Sequence, residues 1–251
     1  MIPETTNIFL YGKGVFTTIA ICDGKPFLWE KHWRRLKENA SRVDIDIDEY
    51  SEDFLIKSLA DELSRNKITN GRARMTFFDE TESGIWSETT GKKTNFSIIT
   101  GALRPVSDNF RLAISPYPVN SRSPLAGIKS CNYLDKLTAL DQAKERGFDE
   151  AIQLNERGEI VSATMANVFW LKDNKLYTPS LLTGCLPGTT REFILENLDS
   201  REIEETVDML RSADAIFLTS AGLGVTLVSE FESRKIETID HPILGLLPKR
   251  K

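Results

Sequence analysis

Lys129 stands in the run Leu125-Ala126-Gly127-Ile128-Lys129-Ser130-Cys131-Asn132-Tyr133, an apolar, glycine-containing approach to a helix. Burial disfavours the charged form of a lysine, and the neutral amine is a nucleophile able to form a Schiff base with an aldehyde. A cation just ahead of a helix also meets the positive end of the helix dipole, so stability alone gives no reason for a lysine here. A second run, Leu186-Pro187-Gly188-Thr189-Thr190-Arg191, is a tight turn feeding a helix, whose open amides and positive dipole suit a phosphate. The same residues also fit a plain helix cap at Thr189 or Thr190. A third, Thr219-Ser220-Ala221-Gly222, either presents a hydroxyl and amides at a strand end or simply turns the chain. With Arg35 as a further cation, one lysine, one arginine and two hydroxyl-bearing turns suit an aldehyde that carries a phosphate.

These groups need a scaffold, and the pattern of apolar residues supplies one. Residues 14–22 (GVFTTIAIC) read as a strand closed by the hairpin signal Asp23-Gly24. A helix over about 30–43 puts Trp29, Trp33, Leu36, Ala40 and Val43 on one packed stripe, with Arg35 beside it and His32, Arg34 and Lys37 off it. A second helix over 51–66 has Ser51 as cap and Phe54, Leu55, Leu59 and Leu63 on its inner face. Strands follow at 72–78, 95–100 and 110–114, and the polar tract 79–94 reads as a mobile loop. Residues 115–124 (SPYPVNSRSP), with three prolines, read as an interdomain linker. Beyond it the chain predicts a helix over 133–146, strands near 151–154, 167–171, 175–178, 215–219 and 222–228, a helix opening at Thr189 or Thr190, and a helical turn at 207–212. The resulting organisation is an N-terminal α/β domain over 1–115, a linker at 116–124 and a C-terminal α/β domain over 125–251 carrying the lysine.

Bulk properties narrow the partner. The chain has 251 residues, enough for one large or two ordinary domains, and its net charge of −5 gives no electrostatic footprint for nucleic acid or an anionic membrane. A small molecule is the expected partner. Cys22, Cys131 and Cys185 are widely separated and in no ligand spacing, so neither a disulfide framework nor a metal site is indicated, and a reducing cytoplasm fits. The first eleven residues lack the pattern of a signal peptide and no apolar run approaches membrane-spanning length. There is no P-loop and no dinucleotide glycine fingerprint, and two histidines, His32 and His241, give no support for a hydrolytic triad.

The order and spacing of five blocks resemble the class IV aminotransferase family of pyridoxal-phosphate enzymes (fold type IV), which includes branched-chain and D-amino-acid transaminases and aminodeoxychorismate lyase. They are residues 11–36 (YGKGVFTTIAICDGKPFLWEKHWRRL), 125–137 (LAGIKSCNYLDKL), 147–179 (GFDEAIQLNERGEIVSATMANVFWLKDNKLYTP), 186–192 (LPGTTRE) and 213–221 (ADAIFLTSA). The resemblance spans nearly the whole chain. It implies a two-domain α/β fold of mixed sheets with pyridoxal 5'-phosphate at the domain interface, in a cytoplasmic homodimer. Position by position it makes Lys129 the Schiff-base lysine and proton carrier, Arg35 the phosphate-binding arginine of an H-x-x-R-L helix, and Thr189 and Thr190 the phosphate loop. Ser220 and Ala221 then continue the phosphate cup, Ala221 replacing a common threonine, and Tyr133 contacts the cofactor's phenolic oxygen.

Two departures from the family pattern bear on the reaction. Ser162 stands where most relatives carry the glutamate that keeps the pyridine nitrogen protonated, and an unprotonated ring is a poorer electron sink. Transamination would suffer most, whereas an elimination ending in an aromatic product has a driving force of its own. Thr17 replaces the glutamate of the transaminases' phenylalanine-glutamate-threonine step, as in aminodeoxychorismate lyases, and is a candidate substrate residue. The resemblance therefore implies first a lyase that converts 4-amino-4-deoxychorismate to 4-aminobenzoate and pyruvate for folate synthesis. A branched-chain or D-amino-acid transaminase is the alternative, and a non-catalytic cofactor-binding relative the third reading. For the substrate carboxylate, Arg74, Arg104 and Arg122 are candidates from polarity alone.

Overall fold

The computed structural model describes residues 3–83, 91–103 and 105–248; Arg104 and most of the polar tract's centre, 84–90, lie outside the described residues. The chain divides into two compact units, one built from 1–103 with 128–133, the other from 104–127 with 134–249. Among the described residues no helix is long and apolar enough to cross a membrane.

The first unit contains α1 (Asn7–Tyr11), β1 (Gly14–Cys22), β2 (Lys25–Pro26), α2 (Trp29–Arg42), α3 (Glu52–Arg65), β3 (Gly71–Asp79) and β4 (Thr94–Gly101). Its antiparallel sheet runs β2-β1-β3-β4. The Asp23-Gly24 turn takes positive φ at both residues, 49° and 75°, and pairs Cys22 with Lys25 as a two-residue hairpin must. Ser51 caps α3 by accepting from the Phe54 amide, and Leu55, Leu59 and Leu63 face inward. These leucines join Trp29, Trp33, Leu36, Val15, Ile19, Met75 and Phe77 in one core. Full burial of each large side chain contributes roughly 1.5–3 kcal/mol.

Two helix faces differ from the periodicity. His32 is 2% exposed although it falls off the apolar stripe of α2. It is buried because polar partners meet it, which an apolar count cannot register. Phe54, expected inside, is 48% exposed. Its ring lies against Tyr50 and Phe96 at the rim of the sheet instead.

The second unit contains β5 (Arg111–Ile114), α4 (Leu134–Glu145), β6 (Glu150–Leu154), β7 (Ile160–Ala163), β8 (Asn167–Lys172), β9 (Lys175–Pro179), α5 (Thr189–Asn197), β10 (Ser200–Ile203), α6 (Asp208–Arg211), β11 (Ala215–Ser220), β12 (Gly224–Leu227), β13 (Glu230–Phe231) and β14 (Arg234–Lys235). Two five-stranded sheets result, β10-β9-β8-β11-β12 and β14-β13-β5-β6-β7, both mixing parallel and antiparallel pairs. The strands β8 and β11 are apolar on both faces. Val168, Trp170, Ile216 and Leu218 enter one core, while Phe169, Leu171, Ala215 and Phe217 enter another. Alternation along the strand thus fills two layers at once. With these strands fixed, Ser162, Asn167 and Ser220 are held at strand positions rather than on free loops.

Candidate active site

In the first unit, the segment 128–133 lies against β1. The Phe16 amide donates to the Lys129 carbonyl (2.9 Å), the Cys131 amide to the Gly14 carbonyl (2.8 Å), and Val15 bridges Ser130. Gly14 allows this approach, since a Cβ there would sit 2.8 Å from Cys131 Sγ. So anchored, the half-buried Lys129 donates from Nζ to the Tyr133 hydroxyl at 2.9 Å, with its ammonium 4.4 Å from the Phe16 ring centroid. Phe16 and Tyr133 meet edge to face at 5.1 Å. The backbone and two rings therefore fix where this amine points.

Arg35 projects from α2 and is 6% exposed. Its Nη2 donates to Thr17 Oγ1 (2.8 Å), and the same oxygen lies 2.6 Å from His32 Nδ1. Guanidinium can only donate, so Thr17 accepts from Arg35; toward Nδ1 the hydroxyl donates or accepts according to the imidazole tautomer. Burial, joined by the positive charges of Arg35 and Lys129, holds the His32 imidazole well below its ordinary value. The histidine is thus a neutral partner that orients the threonine. Thr17, a candidate for the substrate, also supports Arg35. Arg74 stacks its guanidinium 3.6 Å over the other ring contact point, Phe16, and donates to Thr76. Burial raises the nearby Cys131 thiol, against the pull of Arg74.

The second unit holds the remaining candidates. Gly188 is the residue before α5, and no side chain caps the helix. Thr189 and Thr190 lie inside its first turn, both buried, so the plain capping role open to them from sequence is not the one they take. Gly188 rests on Asn167, whose Nδ2 donates to the Leu186 carbonyl (2.9 Å); a Cβ on Gly188 would come within 1.9 Å of Asn167 Oδ1. The turn thereby presents backbone amides at the positive end of α5. Arg191 is directed away from such a role, with Nη2 donating to the Pro179 carbonyl at 2.7 Å and pairing with Glu202. At the end of β11, Ser220 Oγ accepts from the Leu223 amide (3.1 Å), and Ala221 offers only backbone groups. The buried Thr219 hydroxyl has no hydrogen-bond partner among the described residues, as suits a group awaiting a ligand.

Ser162 is buried on β7, directly opposite Gln153 on β6. The turn after it is clamped by the buried Glu150, which accepts from the amides of Thr164 (3.1 Å) and Met165 (3.2 Å) and from the Thr164 hydroxyl. Lys136 on α4 donates to Gln153 Oε1 at 3.0 Å. His32, which meets Thr17, and Gln153 and Lys136, which meet beside the strand that carries Ser162, are polar residues that the motifs did not single out. For Lys136 a signal existed, because it is in phase with the buried Ala139, Leu140 and Ala143. Arg122 is exposed.

Within the first unit, the Arg35 guanidinium and the Lys129 amine are groups of the kind a phosphate and an aldehyde take up; within the second, the amides and hydroxyls at Gly188–Thr190 and Thr219 are of the kind a phosphate takes up. The exception is Ser162, which supplies no carboxylate to a ring nitrogen.

Known proteins agree with the whole-chain pattern. The sequence profile of the family described as amino-transferase class IV matches residues 14–231. Aminodeoxychorismate lyase of Bacillus subtilis is 30% identical over 234 residues, covering 89% of this chain and 79% of that protein. A Methanocaldococcus jannaschii protein assigned as a branched-chain-amino-acid aminotransferase is also 30% identical, over 245 residues, 90% of this chain and 81% of its own. In three dimensions the branched-chain amino acid aminotransferase of Escherichia coli superimposes with a TM-score of 0.88 at 22% identity, covering 98% of this chain and 87% of that one.

Proposed function

Because this chain belongs to the class IV aminotransferase family, we propose that it is a pyridoxal-phosphate lyase converting 4-amino-4-deoxychorismate to 4-aminobenzoate and pyruvate. The observation that carries the choice of lyase is Ser162, a buried hydroxyl beside an amide where transamination needs a carboxylate. Bound pyridoxal phosphate supplies an aldehyde for the amine and an electron-withdrawing ring that takes up charge from the substrate's amino-bearing carbon. This chain's residues do the rest. Arg35, held by Thr17 and His32, and the amides of Gly188–Thr190 with the Thr219 and Ser220 hydroxyls bind phosphate. Tyr133 fixes the Lys129 amine, which takes the proton from the amino-bearing carbon and returns one to the departing enolpyruvyl group. Loss of that group leaves an aromatic ring, so the reaction asks less of the cofactor's ring than transamination does.

The test is to load the purified protein with pyridoxal phosphate, add aminodeoxychorismate and assay pyruvate and 4-aminobenzoate. Stoichiometric release of both supports the lyase. Absence of pyruvate from fully loaded protein overturns it. The M. jannaschii relative favours a second reading, aminotransfer, whose mark is a keto acid released from an amino acid alone as the cofactor passes to its amine form.

A further inference from the structure

Arg74 on β3 opposes Thr18 on β1, which puts it on the same sheet face as Phe16, two residues along. Its guanidinium carbon lies 3.6 Å from the centroid of the Phe16 ring, and Lys129 Nζ lies 4.4 Å from that same centroid. The two cationic centres are therefore no farther apart than the sum of these distances, 8.0 Å. All three residues belong to the first unit. Arg74 is tethered there, because its Nε donates to Oγ1 of the buried Thr76 at 3.2 Å. It forms no ion pair among the described residues. Asp79, the acid at the end of β3, is taken up by Lys13 at 2.9 Å and by the Asn7 side-chain amide at 3.0 Å.

A guanidinium keeps its charge at every pH a protein meets, whereas an ammonium can lose its own. Two cations this close raise the free energy of the state in which both are charged, and only the lysine can relieve it. The ring does not cancel this, since its π face attracts either cation and Arg74 holds the closer place. The Tyr133 hydroxyl, 2.9 Å from Nζ, serves a neutral amine equally well, because the nitrogen lone pair accepts from it. The charge of Arg74 does reach the segment that carries Lys129: it acts on the Cys131 thiol, opposing the rise that burial causes. From α2, His32 and Lys129 act on each other, with burial as the main cause that keeps the imidazole neutral, and Arg35 adds a further cation.

We infer that Arg74, tethered by Thr76 against Phe16, is a positioning residue that acts through Lys129: its fixed charge keeps the ε-amine in the neutral, nucleophilic form. The inference takes its chemical meaning from the pyridoxal-phosphate reading above, on which it rests, and concerns the amine before any cofactor is bound.

The experiment titrates that amine directly. Full-length protein stripped of cofactor is pulsed with a trace of deuterated acetic anhydride at intervals from about pH 6 to about pH 11, then unfolded, fully acetylated with ordinary reagent and digested. Mass spectrometry reads labelling of Lys129 against the exposed Lys57 of α3, which gives the pH midpoint of the Lys129 amine. The native midpoint is expected below that of Lys57. Arg74→Gln should raise it by about one pH unit, and Arg74→Lys, which keeps the charge, should return it toward the native value. A purely structural role would not separate glutamine from lysine in this way. A native midpoint at or above that of Lys57 overturns the inference, as does an unmoved midpoint in Arg74→Gln or an Arg74→Lys value equal to that of Arg74→Gln. Thr76→Val keeps the charge and releases its tether, so it decides the matter if Arg74→Gln does not fold: a smaller rise supports the inference and no change overturns it. Cofactor uptake by the native protein is followed separately from its visible spectrum. No uptake, alongside a midpoint that depends on Arg74, overturns the lyase reading and leaves the inference standing.

Discussion

The two units solve the same problem, holding polar groups ready inside a folded chain, by opposite means. In the first, side chains do the work: Lys129 rests on Tyr133, and Arg35 on a threonine that in turn rests on a neutral histidine. In the second, backbone does most of it: amides at the start of α5 are presented because Gly188 can sit on Asn167, and the turn after Ser162 is held by amides donating to Glu150. A cation can be positioned by two hydrogen bonds to its fork, whereas an anion needs several converging N–H groups, which backbone supplies at no side-chain entropy. The difference teaches that the candidate groups of the first unit depend on side-chain partners and those of the second on close backbone approach, with separable weaknesses.

Substitutions should break the parts differently. The largest effect is expected from Lys129→Ala, which removes the proposed nucleophile and proton carrier; turnover should fall on the order of 10³-fold or more while the fold persists, checked by steady-state rates and circular dichroism. Next comes Gly188→Ala, whose Cβ collides with Asn167 Oδ1. Overpacking of this kind costs about 1–3 kcal/mol, read by urea unfolding, and affinity for the cofactor should fall with it. Thr17→Val keeps the shape but removes the oxygen shared by Arg35 and His32. Leaving both buried groups short of a partner costs about 1–3 kcal/mol, and cofactor titration should show weaker binding with an unchanged Lys129 linkage.

The smallest effect is in the pH dependence of the first unit. His32 has a depressed value when folded, so the unfolded chain takes up a proton below about pH 6.5 that the native chain refuses. Stability from this group is complete above that pH and declines as pH falls toward the depressed native value. The slope is at most about 1.4 kcal/mol per pH unit. Unfolding free energies at pH 7 and 5.5 measure it, and His32→Gln should flatten the difference.

How far the sequence discloses this follows from what each residue type signals. Lys129, Arg35, Thr189 and Thr190 stand in runs whose composition is tied to the chemistry proposed for them. The helices α2 and α3 and the hairpin at Asp23-Gly24 follow from apolar spacing and turn chemistry, and all three occur as expected. His32 was not legible because apolar periodicity is blind to a polar residue whose hydrogen-bond partner, Thr17, comes from strand β1. Strand β7 is four residues, buried throughout, and follows a charged turn, so no alternation marks it. The Gly188–Asn167 approach joins residues 21 positions apart and exists only once β8 and α5 have formed. Lys136 was hidden by the usual fate of lysines at helix surfaces, though its phase with Ala139, Leu140 and Ala143 was visible.

One measurement bears on the centre of this account. Protein incubated with pyridoxal phosphate, reduced with borohydride and digested should carry the reduced cofactor's mass on the peptide containing Lys129, and on no other lysine. Adduct on Lys136 instead, or none on either residue in protein that has taken up the cofactor, would contradict it.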